Sequence, residues 1–86
     1  MARTTHTDVQ RAFDMLVDRM AEMGFDTEHA YLTAWRPDGR GTRYEVGNLP
    51  GGAGSFSTVG ARNAYDALMF ASSVLYAVQY RARDES

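Results

Sequence analysis

Lysine and cysteine are both missing from the 86 residues, so all nine basic side chains are arginine. Without cysteine there is neither a disulfide staple nor a thiolate metal site, and the redox compartment is left open. A core of this size leaves only a few kcal/mol of net stability, to be supplied by good packing or by self-association. Without lysine, the glycine-rich stretch Gly51-Gly52-Ala53-Gly54-Ser55 cannot be a phosphate loop, which needs Lys before Ser or Thr at a helix start. A dinucleotide fingerprint needs a surrounding βαβ unit, for which the chain has little room. The stretch reads as a connector.

An excess of positive charge is also missing. The net charge is −2 and the sequence pI about 5.5, which weighs against binding nucleic acid through overall charge. The all-arginine usage fits GC-rich codons, or alternatively selection for planar, bidentate recognition. Long apolar runs are absent. The start, Met-Ala-Arg-Thr-Thr-His-Thr-Asp, has no apolar run behind its single arginine, and the uncharged stretch from Ala67 to Tyr80 is too short for a membrane span. A cytoplasmic location with no membrane contact is the expectation.

What is present describes one α+β domain over residues 1–86. Thr7 and Gln10 stand in capping-box relation and predict the start of a first helix, with residues 1–6 as a disordered tail. Val9, Phe13, Leu16, Val17, Met20 and Met23 form its apolar stripe. Gly24 suits the left-handed position past its end, with Phe25 folding back onto Met20. Asp14, Asp18 and Glu22 share the opposite face.

Two alternating runs follow, Glu28 to Arg36 and Arg40 to Leu49, around Pro37-Asp38-Gly39. A three-residue loop here predicts Leu32 opposite Tyr44, Ala30 opposite Val46, and Trp35 over Gly41. One face is then small and apolar, and the other carries His29, Tyr31, Thr33, Trp35, Arg43 and Glu45. Phe56 to Val59 predicts a short third strand. Gly60 opens a second helix, expected from about Ala61 to Arg83 with a frayed end at 84–86. The order is α-β-β-(β)-α, with both helices on one face of an antiparallel sheet. The predicted core joins Ala30, Leu32, Ala34, Tyr44 and Val46 to Phe13, Leu16, Met20, Leu68, Ala71 and Leu75.

The second helix is apolar on more than one side. Ala64, Leu68, Ala71, Leu75 and Val78 have core spacing, while Tyr65, Met69, Tyr76 and Tyr80 form a second stripe. An apolar helix face left in water marks an interface, so the second stripe is expected to form a homodimer contact. Around the hairpin, Tyr31, Trp35, Arg36, Arg40 and Arg43 combine aromatics with arginines and are the expected partner-binding residues. No catalytic residues are expected. His6 falls in the tail, and His29 beside Asp26 and Glu28 lacks a positioned nucleophile or a second metal ligand. Paired carboxylates could come only from the acidic helix face, where nothing separates their pKa values. No cofactor or metal is expected either.

The order α-β-β-β-α is also that of double-stranded-RNA-binding domains, which use the first hairpin loop and the start of the second helix. Those domains carry a lysine cluster there, whereas Gly60-Ala61-Arg62-Asn63-Ala64 has one basic residue. In its lysine-free composition, Asp38-Gly39 hairpin, glycine-rich loop and Gly60-x-Arg62-x-Ala64-x-x-Ala67-Leu68 helix start, the chain resembles small non-structural proteins of actinobacterial bacteriophages. The resemblance covers most of the chain and implies no activity. It implies a protein acting in the host cytoplasm by binding a host protein. The expected function is therefore a non-catalytic interaction module, a homodimer that binds another protein by its hairpin face or by the acidic side of the first helix. The alternative is nucleic-acid binding through Arg36, Arg40, Arg43 and Arg62.

Overall fold

The computed structural model describes residues 3–36, 41–50 and 54–85, with side chains described as far as Val78. Five elements follow in order: α1 (His6–Glu22), β1 (Tyr31–Trp35), β2 (Arg43–Leu49), β3 (Gly54–Val59) and α2 (Ala61–Glu85). The strands form one antiparallel sheet in the order β1-β2-β3.

The first helix begins earlier than expected. Its N-cap is Thr5, whose hydroxyl accepts from the Asp8 amide while the Asp8 carboxylate accepts from the Thr5 amide at 2.9 Å. This is the same reciprocal box that Thr7 and Gln10 suggested, two residues upstream. It adds an acidic group in the first turn, where the helix dipole favours negative charge. Gln10 instead donates to Asp14 one turn on, at 3.1 Å. His6 is consequently helical and not part of a tail. Its ring stacks on Tyr44 at 5.8 Å between centroids. The other end forms as expected: Gly24 has φ 89°, its amide donates to Ala21, and the Phe25 amide donates to Met20 at 3.0 Å. These are the two hydrogen bonds of a Schellman motif.

The hairpin register differs from the expected one by two residues. Leu32 pairs with Val46, Ala34 with Tyr44 and Trp35 with Arg43. Pairing stops at Trp35, so the connection is longer than Pro37-Asp38-Gly39, and residues 37–40 lie outside the described residues. A shift of two keeps every side chain on its predicted face, because strand side chains alternate with period two. It also changes which glycine is covered. Nothing lies within 4 Å of where a Gly41 side chain would start, whereas the Tyr31 ring fills that space at Gly47, opposite it in the sheet. A β-bulge interrupts β2–β3 pairing between Val46 and Leu49. There Asn48 adopts φ 55° and its amide donates to the Ser55 hydroxyl.

The core is Val9, Ala12, Phe13, Leu16 and Met20 of α1, Tyr44, Val46 and Leu49 of β2, and Ala64 and Leu68 of α2. The expected core residues on β1 are less covered: Ala30 and Leu32 are half-buried and Ala34 is exposed. The reason is position. The main helix-to-sheet contacts fall on β2 and β3, which leaves β1 as a thinly covered edge. Ala71 and Leu75 are half-buried against the core.

The helices run in the same direction. Asp8 and Tyr65 share a groove near their starts, and Arg19 lies over Tyr76 near the end of α1. At 25 residues against 17, α2 is 8 residues longer, about 12 Å at 1.5 Å per residue.

Candidate functional site

Alternation along the strands sorts the hairpin residues onto two sides. On the sheet face away from the helices, Trp35, Arg43 and Val59 stand in one row across the three strands, and Thr33, Glu45 and Ser57 in the next. Trp35 is 42% exposed and Arg43, between its two neighbours, is half-buried. The Tyr31 hydroxyl donates to Glu45 at 3.1 Å across the strand pair. That hydrogen bond, with some burial and the neighbouring negative charge, raises the Tyr31 pKa above its ordinary 10.0. Three of the five expected partner-binding residues, Tyr31, Trp35 and Arg43, thus share one open surface.

Arg36 does not join them. It turns toward the helices, donates from Nε to the Thr42 hydroxyl at 3.3 Å, and lines a cleft with Arg3, His6 and Arg62. Arg40 lies outside the described residues. The chain folds this way because β1 ends at Trp35, so the next side chain takes the other side. Composition did not single out Arg3 or His6, since the tail that holds them was expected to be disordered. The Thr5-x-x-Asp8 spacing was the signal that could have placed them.

The expected dimer stripe is also redistributed. Tyr65 and Met69 are half-buried against the core on the side of α2 that meets α1. Tyr76 is exposed, with the Arg19 guanidinium carbon 3.2 Å from its ring centroid, a cation–π contact. Tyr80 lies among the side chains outside the described set. The apolar row that α2 leaves uncovered is instead Phe70, Val74, Ala77 and Val78, with Phe70 72% exposed. Its spacing of four, seven and eight residues puts it on one helix face.

His29 is exposed in the turn before β1, and Asp14, Asp18 and Glu22 are exposed on α1. Among the described residues no group of three or more His, Cys, Asp or Glu side chains is placed to hold a metal, and no helix is long and apolar enough to cross a membrane. Comparison with protein-family models, with curated proteins and with solved structures finds no match.

Proposed function

We propose that the protein is a non-catalytic interaction module that pairs through α2 into a homodimer and offers its open sheet face to another protein. The observation that carries this reading is the row on α2: Phe70, Val74 and Val78 are 72%, 46% and 51% exposed on one face of a helix that packs elsewhere against α1 and the sheet. Burying a Phe or Val side chain stabilises by about 1.5–3 kcal/mol, so leaving three in water forgoes a large share of what a small domain has available. A two-fold contact is self-complementary, and one apolar row meeting its own copy suffices. The sheet face supplies the second contact. Tyr31 and Trp35 offer rigid aromatic area and Arg43 a planar cation, residue types enriched where binding energy concentrates.

Nucleic-acid binding by Arg36, Arg40, Arg43 and Arg62 as one surface is the weaker reading, because Arg36 and Arg43 face opposite sides of the sheet. Light scattering tests the proposal. The wild-type chain at micromolar concentration should give twice the chain mass, and Phe70→Asp should give the single mass with an unchanged circular dichroism spectrum. A wild-type monomer across the accessible concentration range refutes the homodimer.

A further inference from the structure

The cleft that captures Arg36 is distinct from both surfaces of the proposed interaction module. It has a volume of about 510 Å³ and lies where the start of α1, the end of the β1–β2 hairpin and the start of α2 meet. Three of the nine arginines, Arg3, Arg36 and Arg62, converge on it from stretches far apart in sequence, and His6 joins them. No carboxylate lines it among the described residues, although acids outnumber bases in the chain. Such segregation of charge creates a strong local positive potential on a protein of net charge −2.

The walls are fixed by contacts already described and by three more. Tyr44, 2% exposed, anchors the His6 ring by stacking and by a hydroxyl 3.3 Å from Nδ1, which leaves Nε2 for a ligand. Gly60, at φ 91°, donates its amide to the Thr42 carbonyl at 2.8 Å, tying the β3–α2 junction to the hairpin that carries Arg36. Arg36 is oriented through Nε by the Thr42 hydroxyl. Arg62 is likewise held through Nε, by Asp66 at 3.2 Å. That ion pair is highly exposed on both sides and spans one helix turn, the kind worth a fraction of a kcal/mol, so it yields readily to a better anion. Asp8, beside Arg3 in an adjoining groove, is engaged by Thr5.

We propose that this cleft binds the phosphate groups of a small polyphosphate ligand, the chemistry shared by pyrophosphate and a nucleoside diphosphate. Several guanidinium forks around one cleft match the oxygens of adjoining phosphates, each of which can accept paired N–H bonds and carries charge for more than one arginine. The volume is that of a small-molecule site and exceeds the needs of a single phosphate ion. A long polyanion fits less well. Among the described residues, Asp14, Asp18 and Glu22 line the exposed side of α1 and Arg43 lies on the far face of the sheet, so no continuous basic track of described residues leaves the cleft.

Isothermal titration calorimetry on the full chain tests this with ADP, pyrophosphate, adenosine, a single-stranded oligonucleotide and an RNA duplex. ADP and pyrophosphate should bind saturably at one per chain, and adenosine should not bind. Arg36→Gln and Arg62→Gln, both at exposed positions, should each weaken ADP by about tenfold or more, while Arg11→Gln, the same charge change on the exposed face of α1, should leave it within about twofold. Absence of ADP and pyrophosphate binding at millimolar ligand overturns the site. So does an equal loss in all three variants, which would indicate diffuse charge attraction. Oligonucleotide or duplex binding tighter than ADP overturns the choice of a small ligand. None of these outcomes depends on whether α2 dimerises, and the light-scattering result stands separately.

Discussion

Leu68 and Phe70 lie two residues apart on α2 and should respond to truncation in opposite ways. Leu68 is fully buried in the core that α2 shares with α1 and β2, and Leu68→Ala removes its packing and leaves a cavity, at a cost of about 2–5 kcal/mol. At about 0.05–0.15 kcal/mol per residue this domain has roughly 4–13 kcal/mol in all, so the variant is expected to lose from about a sixth of its stability to all of it. Each kcal/mol shifts the melting temperature of a domain this size by about 4–8 °C, which predicts a fall of more than about 8 °C. Phe70→Ala removes a side chain that touches little within the chain, and alanine is the better helix former by about 0.5 kcal/mol. In a dilute, monomeric sample its melting temperature should be unchanged or slightly raised. Concentration supplies the second axis. Self-association makes the wild-type melting temperature rise with chain concentration through mass action, and Phe70→Ala should flatten that rise while Leu68→Ala keeps it. Scanning calorimetry or circular dichroism melts over a hundredfold concentration range read both effects. A Phe70→Ala protein destabilised as much as Leu68→Ala at high dilution would refute the assignment of faces on α2. A wild-type melting temperature independent of concentration would refute the dimer alone.

Four other perturbations have defined outcomes. Trp35→Ala and Arg43→Ala, on the open sheet face, should change the melting temperature little and abolish binding of a protein partner in pull-down; a Trp35→Ala chain that unfolds while Arg43→Ala binds normally would mean that Trp35 is structural. Tyr31 ionises above its ordinary 10.0 because ionisation loses its hydrogen bond to Glu45 and sets two negative charges side by side. A raised folded-state value stabilises below pH 10, and that contribution is lost as pH climbs through the raised value; a tyrosinate absorbance titration of Glu45→Gln against wild type should show the Tyr31 transition move down. Asn48→Val should cost about 1–2 kcal/mol in denaturant melts because φ 55° strains a β-branched residue, whereas Asn48→Gly should be close to neutral. Ser72 buries a hydroxyl with no hydrogen-bond partner on α2, so Ser72→Ala should raise stability by about 1 kcal/mol, read as a higher melting temperature.

Periodicity made the faces legible, and what it cannot encode was missed. The stripe Val9, Phe13, Leu16 and Met20 and the terminator Gly24-Phe25 identified α1 because a helix repeats every 3.6 residues and glycine alone takes φ 89° cheaply. The sorting of Tyr31, Trp35 and Arg43 against Leu32 and Tyr44 also held. The register did not, since a two-residue shift leaves a period of two intact and only the turn length distinguishes the alternatives. Thr7-x-x-Gln10 fits the capping-box spacing but the box that forms is Thr5-x-x-Asp8, and a start two residues later leaves His6 and Arg3 in an expected tail. On α2, the spacing of Tyr65, Met69, Tyr76 and Tyr80 marks a second apolar stripe but not its neighbour; Tyr65 and Met69 pack against the chain's own core and Arg19 lies over Tyr76. Parity could have supplied that neighbour. Three antiparallel strands between two helices reverse the chain an even number of times, so α1 and α2 run the same way and lie alongside each other for most of their length.

The three surfaces have different normals, and that bears on how they can work together. Phe70, Val74 and Val78 point away from α1 on α2; Trp35 and Arg43 point away from both helices; the arginine cleft opens at the end of the domain where the helices begin. A dimer formed through the α2 row would cover neither of the other two. Each dimer would then carry two sheet faces and two clefts in a fixed relation, so a partner with two matching epitopes would gain from effective concentration without any new contact. The cleft and the sheet face also share a strand end: Trp35 and Arg36 are consecutive, and Thr42 and Arg43 are consecutive, each pair split between the two sides. A ligand that fixes Arg36 and Thr42 therefore fixes the backbone on which Trp35 and Arg43 are mounted. Linkage would make any coupling between the two sites reciprocal, so the factor by which a cleft ligand changes the affinity of the sheet face is the factor by which a sheet-face partner changes that of the cleft.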